Sequence, residues 1–279
     1  MKAVPLVLGG HTFITQLGND PQPSEETQCA IVEACLDSGI RWFDTTHRPE
    51  REGLGRALKT LGRQDEAVII GWNFFEDVGT GLNDKLDGAA PYKPYHIDEM
   101  LEQVQRGWID YLVVHGVSVG REIRLEQETL AREWQQKGYV RKLGLWEPGT
   151  DALAEYGEDN PYEFMVAPLN IARDAAEVFH VSKETMGWET IAVSPFIRGW
   201  ELDRMVEKAL KVEPGSESNI RAKLADLMLR FTAFHPHVDR TVTAMRRVEW
   251  TGANVASYER GPLNDEESSW LDALRTAEV

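Results

Sequence analysis

The feature that most constrains the fold of this chain is a regular alternation of short apolar runs with longer segments of helical periodicity. The apolar runs are rich in Val and Ile and occupy residues 4–9, 41–44, 67–71, 111–115, 140–145, 164–168, 190–194 and 241–245. Helical patterns cover residues 24–37, 52–61, 97–108, 122–137, 150–156, 173–185 and 219–234. Strands that alternate with helices form a parallel sheet, because each parallel crossover needs a helix-length connection. Eight such units predict a closed (β/α)8 barrel of the TIM type.

A single domain over residues 1–279 accounts for the whole chain. The composition is 42% hydrophobic, which is enough for one large core, and no Pro/Gly/Ser-rich linker divides the sequence. Two stretches interrupt the alternation. Residues 77–95 are rich in Gly, Pro, Asp and Asn and are a candidate substrate loop, whereas residues 199–218 indicate a helical insertion.

The charge of the chain limits its partners. A formal net charge of -16 and a pI near 4.9 exclude nucleic acid and anionic membrane surfaces, since both attract basic proteins. No apolar stretch approaches the length of a membrane span. The expected partner is therefore a small-molecule substrate, and the sequence leaves the oligomeric state open.

The cysteines indicate a reducing compartment. Cys29 and Cys35 lie six residues apart in one predicted helix, so their side chains point in different directions and cannot form a disulfide. The first ten residues hold too short an apolar run for a signal peptide. Together these features predict a cytoplasmic protein with two buried thiols.

The residues that follow the apolar runs define the candidate site, because catalytic side chains of such barrels lie at the C-terminal ends of the strands. Acids, cationic side chains and indoles follow the runs, which favours an occupied pocket over plain turn residues. The candidates are Asp44, His47, Arg48, Trp72, Asn73, His115, Trp146, Glu147, Asn170, Arg198, Arg246 and Arg247. His11 and Thr12 also follow the first run.

Several charged candidates also have a structural interpretation. Asp44 is equally well placed to cap the following helix. A histidine that closes a buried strand, as His115 does, is often a hydrogen-bonded core residue. Arg51 and Glu52 have the pattern of a solvated charge cluster. Only the position at a strand end favours a catalytic role for Asp44 and His115.

The aromatic and tandem arginine residues are similarly open to two interpretations. Trp72 and Trp146 are either core packing or the walls of a pocket that stacks on a sugar or another flat face. Arg246 and Arg247 follow the last run, where barrels of this type often bind phosphate, although a surface pair fits as well.

A mixed metal site is conceivable but is not predicted. Asp44, His47, His115 and Glu147 would have to converge from three strands, and no local ligand spacing supports that arrangement. The sequence therefore gives no metal ligands.

Taken together, these segments resemble the aldo-keto reductase family across essentially the whole chain. The matching segments are residues 8–13, 39–46, 53–58, 110–115, 138–145, 194–196 and 245–249, followed by Asn254. The resemblance implies the (β/α)8 fold and an NADP site. In that family the equivalents of Arg246 and Asn254 contact the adenine end of NADP, which makes Arg246, Arg247 and Asn254 the expected cofactor-binding residues.

The resemblance also implies a catalytic tetrad that this chain does not keep. The family reduces carbonyls by hydride transfer from NAD(P)H, with a tyrosine acid assisted by a lysine and an aspartate, and a histidine that orients the substrate. Asp44 and His115 match the aspartate and the histidine. Pro49 stands at the tyrosine position and Trp72 at the lysine position. In the nicotinamide pocket, the family's polar and stacking residues correspond here to Trp146, Glu147, Val166 and Val193.

These losses favour an enzyme that has abandoned redox chemistry. A positioned general acid contributes roughly 100- to 10,000-fold to rate, and neither proline nor tryptophan transfers a proton near neutral pH. The leading hypothesis is thus a lyase, dehydratase, isomerase or hydrolase on a small polar or carbohydrate-like substrate, with no cofactor required. His115 would act with Asp44 or Glu147, and Arg48 or Arg198 would hold the substrate.

Two alternatives remain. The first is an NADP-dependent oxidoreductase that draws its proton from His47, His115 or a bound water. The second is a catalytically silent regulatory or binding subunit. The ionisable residues at the strand ends favour an enzyme over the silent subunit, because a scaffold does not need them.

Overall fold

A computed structural model describes residues 3–15, 22–76, 88–114, 121–150, 153, 160–173, 175–197 and 199–276. The strands are β1 Leu6–Leu8, β2 Trp42–Thr45, β3 Val68–Trp72, β4 Phe74–Glu76, β5 Gly88–Ala89, β6 Ile109–Val114, β7 Val140–Trp146, β8 Tyr162–Pro168, β9 Glu189–Val193 and β10 Arg240–Thr243. The helices are α1 Glu25–Asp37, α2 Arg48–Leu61, α3 His96–Val104, α4 Arg121–Gln136, α5 Ala176–His180, α6 Gly199–Val212, α7 Glu217–Ala233, α8 Val248–Glu259 and α9 Asp265–Thr276. Short turns cover Gly10–Phe13, Gln64–Glu66 and Val181–Thr185.

Eight of the strands close into a parallel barrel, so the predicted (β/α)8 fold is confirmed. Their order around the barrel is β1-β10-β9-β8-β7-β6-β3-β2. The barrel closes where β1 pairs with both β2 and β10 in parallel register. All eight predicted runs contain an observed strand, with bounds that differ by a few residues at most.

The interior of the barrel is filled by large side chains and is not a pore. Tyr111, Phe164 and Trp72 form one apolar cluster with aliphatic residues of the other strands. Gly144 makes room for this packing, because a Cβ at that position would lie 2.5 Å from the ring of Phe164. A second, larger cluster lies between the barrel and the helices. Trp72, at the end of β3, thus packs against the filled interior of the barrel.

Helix α2 begins four residues earlier than the sequence pattern indicates, and this shift determines the site. Its first turn starts at Arg48, directly after His47, with Pro49 in the first turn where its missing N–H costs nothing. Glu50 caps the same turn. The earlier start turns Glu50 and Arg51 towards the interior, and both are buried.

The two predicted interruptions are partly described. The ends of the long connection form a small antiparallel sheet of β4 and β5, and residues 77–87 lie outside the described residues. The insertion after β9 is α6, followed by a turn into α7. Of the helix predicted at 150–156, only residues 150 and 153 are described.

The two cysteines are free thiols, as expected, but Cys35 alone is buried and Cys29 is half-buried, so the prediction of two buried thiols is wrong for Cys29. Burial raises the pKa of Cys35 to about 12, although a weak hydrogen bond with Thr251 opposes the shift. Within the described parts of the chain, no helix combines the length and the hydropathy that a membrane span requires.

Candidate functional site

Asp44 lies at the C-terminal end of β2 and is paired with an indole. Trp72 Nε1 donates a hydrogen bond to Asp44 Oδ1 at 2.6 Å. Burial raises the pKa of Asp44 to about 7, and the nearby Glu50 carboxyl adds to this shift, whereas the Trp72 hydrogen bond opposes it. An indole N–H donates without carrying charge, so it cannot stabilise the carboxylate as an ammonium group would.

Glu50 is a fully buried carboxyl, and in the described part of the chain a single one of its oxygens accepts its hydrogen bonds. Its Oε2 accepts the backbone N–H of Thr46 at 2.6 Å and that of His47 at 3.2 Å. Its Oε1 is buried and has no hydrogen-bond partner among the residues that the structure describes. Burial raises the pKa of Glu50 to about 7, while the two backbone hydrogen bonds and the charge of Arg51 lower it.

Two imidazole rings lie beside the second oxygen of Glu50. His11 Nε2 is 3.8 Å from Glu50 Oε1. The rings of His11 and His47 are stacked with centroids 6.1 Å apart, and His47 also meets the edge of Phe74 at 5.1 Å. One possible ligand atom from each of His11, His47 and Glu50 lies within 4.8 Å of the other two. We call these three residues the His–Glu cluster.

Gly10 allows this cluster to form. A Cβ on Gly10 would lie 2.1 Å from Glu50 Oε2 and 2.8 Å from the carbonyl oxygen of Asp44. Thr12 ties the turn Gly10–Phe13 to the segment after β10, because its Oγ1 accepts the backbone N–H of Met245 at 3.1 Å. Absence of a side chain at residue 10 therefore permits the close approach of Glu50 to the first turn after β1.

Sequence analysis noted His11 but did not assign it a role, and it overlooked Glu50. Neither residue belongs to a recognisable local motif, since they are 39 positions apart. The available signal was indirect. Glu50 occupies the third position of α2 and directly follows Pro49, where the family's tyrosine is expected.

The prediction that Arg51 belongs to a solvated cluster is wrong. Arg51 is completely buried. Its guanidinium donates to Gln103 Oε1 at 2.6 Å, to the carbonyl of Thr46 at 2.8 Å and to that of Phe74 at 3.2 Å. The cost of burying the charge is offset by these hydrogen bonds and by the ring of Phe75, 4.7 Å away.

Arg48 lies outside this buried network. Its Nε donates to Glu52 Oε1 at 2.8 Å, and both side chains are exposed on the first turns of α2. Glu52 is thus solvated, as expected. A substrate-binding role for Arg48 stays a prediction.

The two indoles at the mouth contact each other. The rings of Trp72 and Trp146 have centroids 5.2 Å apart at an angle of 65°. Trp72 is only 6% exposed and belongs to the barrel core, whereas Trp146 is half-buried. Asn73 follows Trp72 and is buried, with its Nδ2 donating to the carbonyl of Ala90 at 2.8 Å. This contact ties the end of β3 to the loop before α3.

Glu147 and Asn170 shape the loops after β7 and β8. Glu147 has a left-handed backbone with φ of 42°, and its carboxylate forms an ion pair with Arg173. Asn170 Oδ1 accepts the backbone N–H groups of Ala172 and Arg173, each at 3.0 Å, and its Nδ2 donates to the carbonyl of Ser194. These contacts organise the rim of the barrel mouth.

The expected cofactor-binding residues lie after β10 and differ in burial. Arg246 is buried, and its Nη2 donates to the carbonyls of His11 and Ile14 at 3.1 and 2.8 Å. Arg247 is exposed at the start of α8, with its guanidinium carbon 5.3 Å from the ring centroid of Trp250. Asn254 is half-buried on the same helix.

Two predicted site residues, His115 and Arg198, lie outside the described residues. His115 would follow directly after β6, and Arg198 directly before α6. Their roles stay predictions.

Comparison with solved structures finds the same fold in aldo-keto reductases. AKR11C1 from Bacillus halodurans in its holo form matches with a TM-score of 0.73 and 21% identity, over 99% of this chain and 93% of that one. An aldo-keto reductase from Klebsiella pneumoniae in complex with NADPH matches with a TM-score of 0.68 and 17% identity, over 99% and 92%. Another from Klebsiella pneumoniae, in complex with NADP and acetate, gives 0.69 and 18%, over 99% and 93%.

The expectation of a barrel that has abandoned redox chemistry is wrong. Residues 5–276 match the model of the aldo/keto reductase family, which is a family of oxidoreductases. The match covers the complete barrel, including the segments in which Pro49 and Trp72 stand. A comparison with curated proteins gives no match. The family match therefore overturns the hypothesis of a lyase, dehydratase, isomerase or hydrolase that needs no cofactor.

The fold, the arrangement of the strand ends and the family model agree over nearly the whole length of the chain. This protein is a (β/α)8 barrel that belongs to the aldo/keto reductase family.

Proposed function

We propose that this chain is an NADP-dependent oxidoreductase that interconverts a small carbonyl compound and its alcohol. The single observation that carries the proposal is the family match over residues 5–276. The NADP complexes of the two Klebsiella pneumoniae structures add support for the choice of cofactor.

The residues after β10 fit the adenine end of NADP. Arg247 presents an exposed guanidinium at the start of α8, where the partial positive charge of a 12-residue helix also favours a phosphate. Asn254 lies two turns further along the same helix. Arg246 would support this end indirectly, because it holds the turn after β1 through His11 and Ile14. Bound NADPH would supply the hydride for the reaction.

The proposed reaction needs a proton donor other than tyrosine. Pro49 and Trp72 stand where the family's tyrosine and lysine are expected, so we propose that the usual tetrad is altered. His47 is half-buried in the loop after Asp44, and His115 and a bound water are the other candidates. Asp44 would orient this region through its hydrogen bond with Trp72.

One domain over residues 1–279 is part of the proposal. The first and last barrel strands, β1 and β10, pair along Leu6–Thr241, Val7–Val242 and Leu8–Thr243. Because the two ends of the chain close the same barrel, neither half has a complete sheet of its own.

Titration with NADPH tests the cofactor directly. The chain has nine tryptophans, and we expect saturable quenching of their fluorescence by NADPH. Arg247→Ala and Asn254→Ala should each weaken this binding about 10-fold, in line with the loss of one charge-assisted contact of about 1.5 kcal/mol. His180→Ala, on an exposed site of α5, is the matched control and should leave binding unchanged. A flat titration of the wild-type protein would refute the proposal.

A further inference from the structure

The His–Glu cluster brings together three metal-ligating side chains at the mouth of the barrel. His11 comes from the turn after β1, and His47 and Glu50 come from the corner between β2 and α2. Their ligand atoms lie within 4.8 Å of one another. Among the described residues, this is the group of three or more such side chains with atoms close enough to hold one ion.

The buried oxygen of Glu50 is an independent indication of a ligand. Glu50 Oε2 is satisfied by two backbone N–H groups, whereas Oε1 is buried without a hydrogen-bond partner in the described structure. The adjacent cation, Arg51, donates to Gln103, Thr46 and Phe74. A buried carboxylate oxygen without a hydrogen bond is costly, and His11 Nε2 at 3.8 Å is too far to supply one, so the retention of this oxygen needs an explanation. A metal ion bound at Oε1 would satisfy it.

We propose that His11, His47 and Glu50 bind a divalent transition-metal ion of the zinc class. Two imidazole nitrogens and one carboxylate oxygen form a donor set that zinc takes in proteins, and three protein ligands leave one position open for water or a substrate oxygen. Sites with an open position are typical of catalytic rather than structural zinc.

Small ring movements suffice to complete the site. A tetrahedral ion with bonds of about 2.0 Å holds its ligand atoms about 3.3 Å apart. The distance from His11 Nε2 to Glu50 Oε1 is 3.8 Å, and the His11 side chain is 39% exposed, so its ring can rotate towards the carboxylate. Glu50 itself is held by the backbone of α2.

A second group of imidazoles offers an internal comparison. His180 Nδ1 lies 3.3 Å from His237 Nε2, and His237 Nδ1 lies 3.4 Å from Glu184 Oε1. This group precedes β10 and therefore lies at the opposite end of the barrel. Its carboxylate is 55% exposed and therefore open to hydration, in contrast to the buried Glu50.

The metal site goes beyond the proposed reductase activity. With His47 bound to the ion, the proton for carbonyl reduction would come from the bound water or His115 and not from His47. The site is tested without NADP or substrate. Full-length protein is freed of metal with a chelator and titrated with Zn²⁺ in competition with a chromogenic chelator. Replacement by Co²⁺ reports the ligand geometry through its visible absorption. We expect one ion per chain and a four-coordinate cobalt spectrum.

Variants then locate the site. His11→Gln, His47→Ala and Glu50→Gln should each weaken Zn²⁺ binding at least about 10-fold, a loss already seen when outer-shell groups of metal sites are removed. His180→Ala is the matched control and should bind Zn²⁺ like the wild type.

Two of these variants are chosen so that the protein should still fold. His11→Gln changes a partly exposed side chain and leaves the Glu50 cap intact, and Glu50→Gln keeps an oxygen that accepts the backbone N–H groups. Circular dichroism checks that both variants fold. Binding that survives in folded His11→Gln and Glu50→Gln, or that disappears in His180→Ala, would overturn the proposal, as would a wild-type protein that takes up no Zn²⁺. None of these outcomes affects the titration with NADPH.

Discussion

A hydrogen bond from an uncharged donor joins Trp72 to Asp44. An ammonium group at residue 72 would lower the pKa of Asp44, whereas the indole leaves burial as the dominant influence and the pKa rises to about 7. Glu50 shares this behaviour for the same reason. Two buried carboxyls with raised pKa values therefore lie at the end of β2 and the start of α2.

Asp44→Asn should flatten the dependence of stability on pH. A carboxyl with a raised folded-state pKa favours the folded state when it is protonated. Its contribution is thus present below the unfolded pKa of about 3.9 and is lost as pH rises towards about 7. Urea unfolding of the metal-free protein at several pH values measures the effect.

Burial raises the pKa of Glu50 in both proteins, so part of the dependence on pH should remain in Asp44→Asn. The wild type should lose more stability than Asp44→Asn between these limits. Identical slopes in the two proteins would show that Asp44 is ionised throughout and would contradict this account of the pair.

Gly10→Ala should disrupt the His–Glu cluster without replacing any of its members. The added Cβ would meet Glu50 Oε2 at 2.1 Å and force the carboxyl away from the N–H groups that it caps. We expect a loss of roughly 1–3 kcal/mol in the free energy of unfolding, the usual cost of overpacking, together with weaker Zn²⁺ binding. Urea unfolding and the Zn²⁺ competition assay measure the two effects.

Gly149→Ala is the comparison, because a Cβ there has no atom within 4 Å. A Gly10→Ala protein as stable as Gly149→Ala would show that the turn after β1 is looser than the structure indicates.

At the scale of elements, glycines set the contact between α2 and α3. A Cβ on Gly55 would lie 2.4 Å from the carbonyl oxygen of Gln103, a backbone atom that cannot move independently of its helix. Gly252, on the exposed side of α8, has no atom within 4 Å of its Cβ position. The two positions have the same residue type and opposite surroundings.

Gly55→Ala and Gly252→Ala should therefore shift stability in opposite directions. We expect Gly55→Ala to cost roughly 1–3 kcal/mol through overpacking. Gly252→Ala should stabilise by about 0.5–1 kcal/mol through helix propensity. Thermal unfolding of both variants measures the difference. Two variants of equal melting temperature would contradict the packing of α2 on α3.

The sequence predicts elements well where hydrophobic periodicity is strong, as in β6 and β8. It misses the start of α2, because His47, Arg48 and Pro49 carry no apolar period and the cap depends on the Glu50 side chain. The hairpin of β4 and β5 is missed for a similar reason, since each of its strands has at most three residues. Short elements that depend on tertiary contacts leave little local signal.

The site is predicted less completely than the fold. Asp44, at a strand end, and His47, in the loop after it, are candidates from the sequence alone, whereas Glu50 needs the observed cap and His11 needs the barrel closure. Arg51 is misjudged because its partners come from three separate segments. Burial of a charged group depends on such distant partners, which periodicity does not reveal.

At the scale of the whole molecule, the closed barrel and the family match over residues 5–276 outweigh the two departures from the family pattern that the sequence indicates at Pro49 and Trp72. The absence of a phenol and an ammonium group does not remove every proton donor from the mouth. The mouth instead holds two imidazoles and two buried carboxyls around the same corner. In the proposed carbonyl reduction, these groups would act in place of the family's tyrosine and lysine.

Transfer of a labelled hydride tests the central claim most directly. The protein is incubated with NADPH deuterated at the transferable position of C4 and a panel of small aldehydes and ketones, and the alcohols are examined by mass spectrometry. Our account predicts at least one alcohol carrying a single deuterium on its carbinol carbon, with matching oxidation of NADPH. Saturating NADPH that leaves every carbonyl unlabelled and the cofactor unoxidised would contradict it.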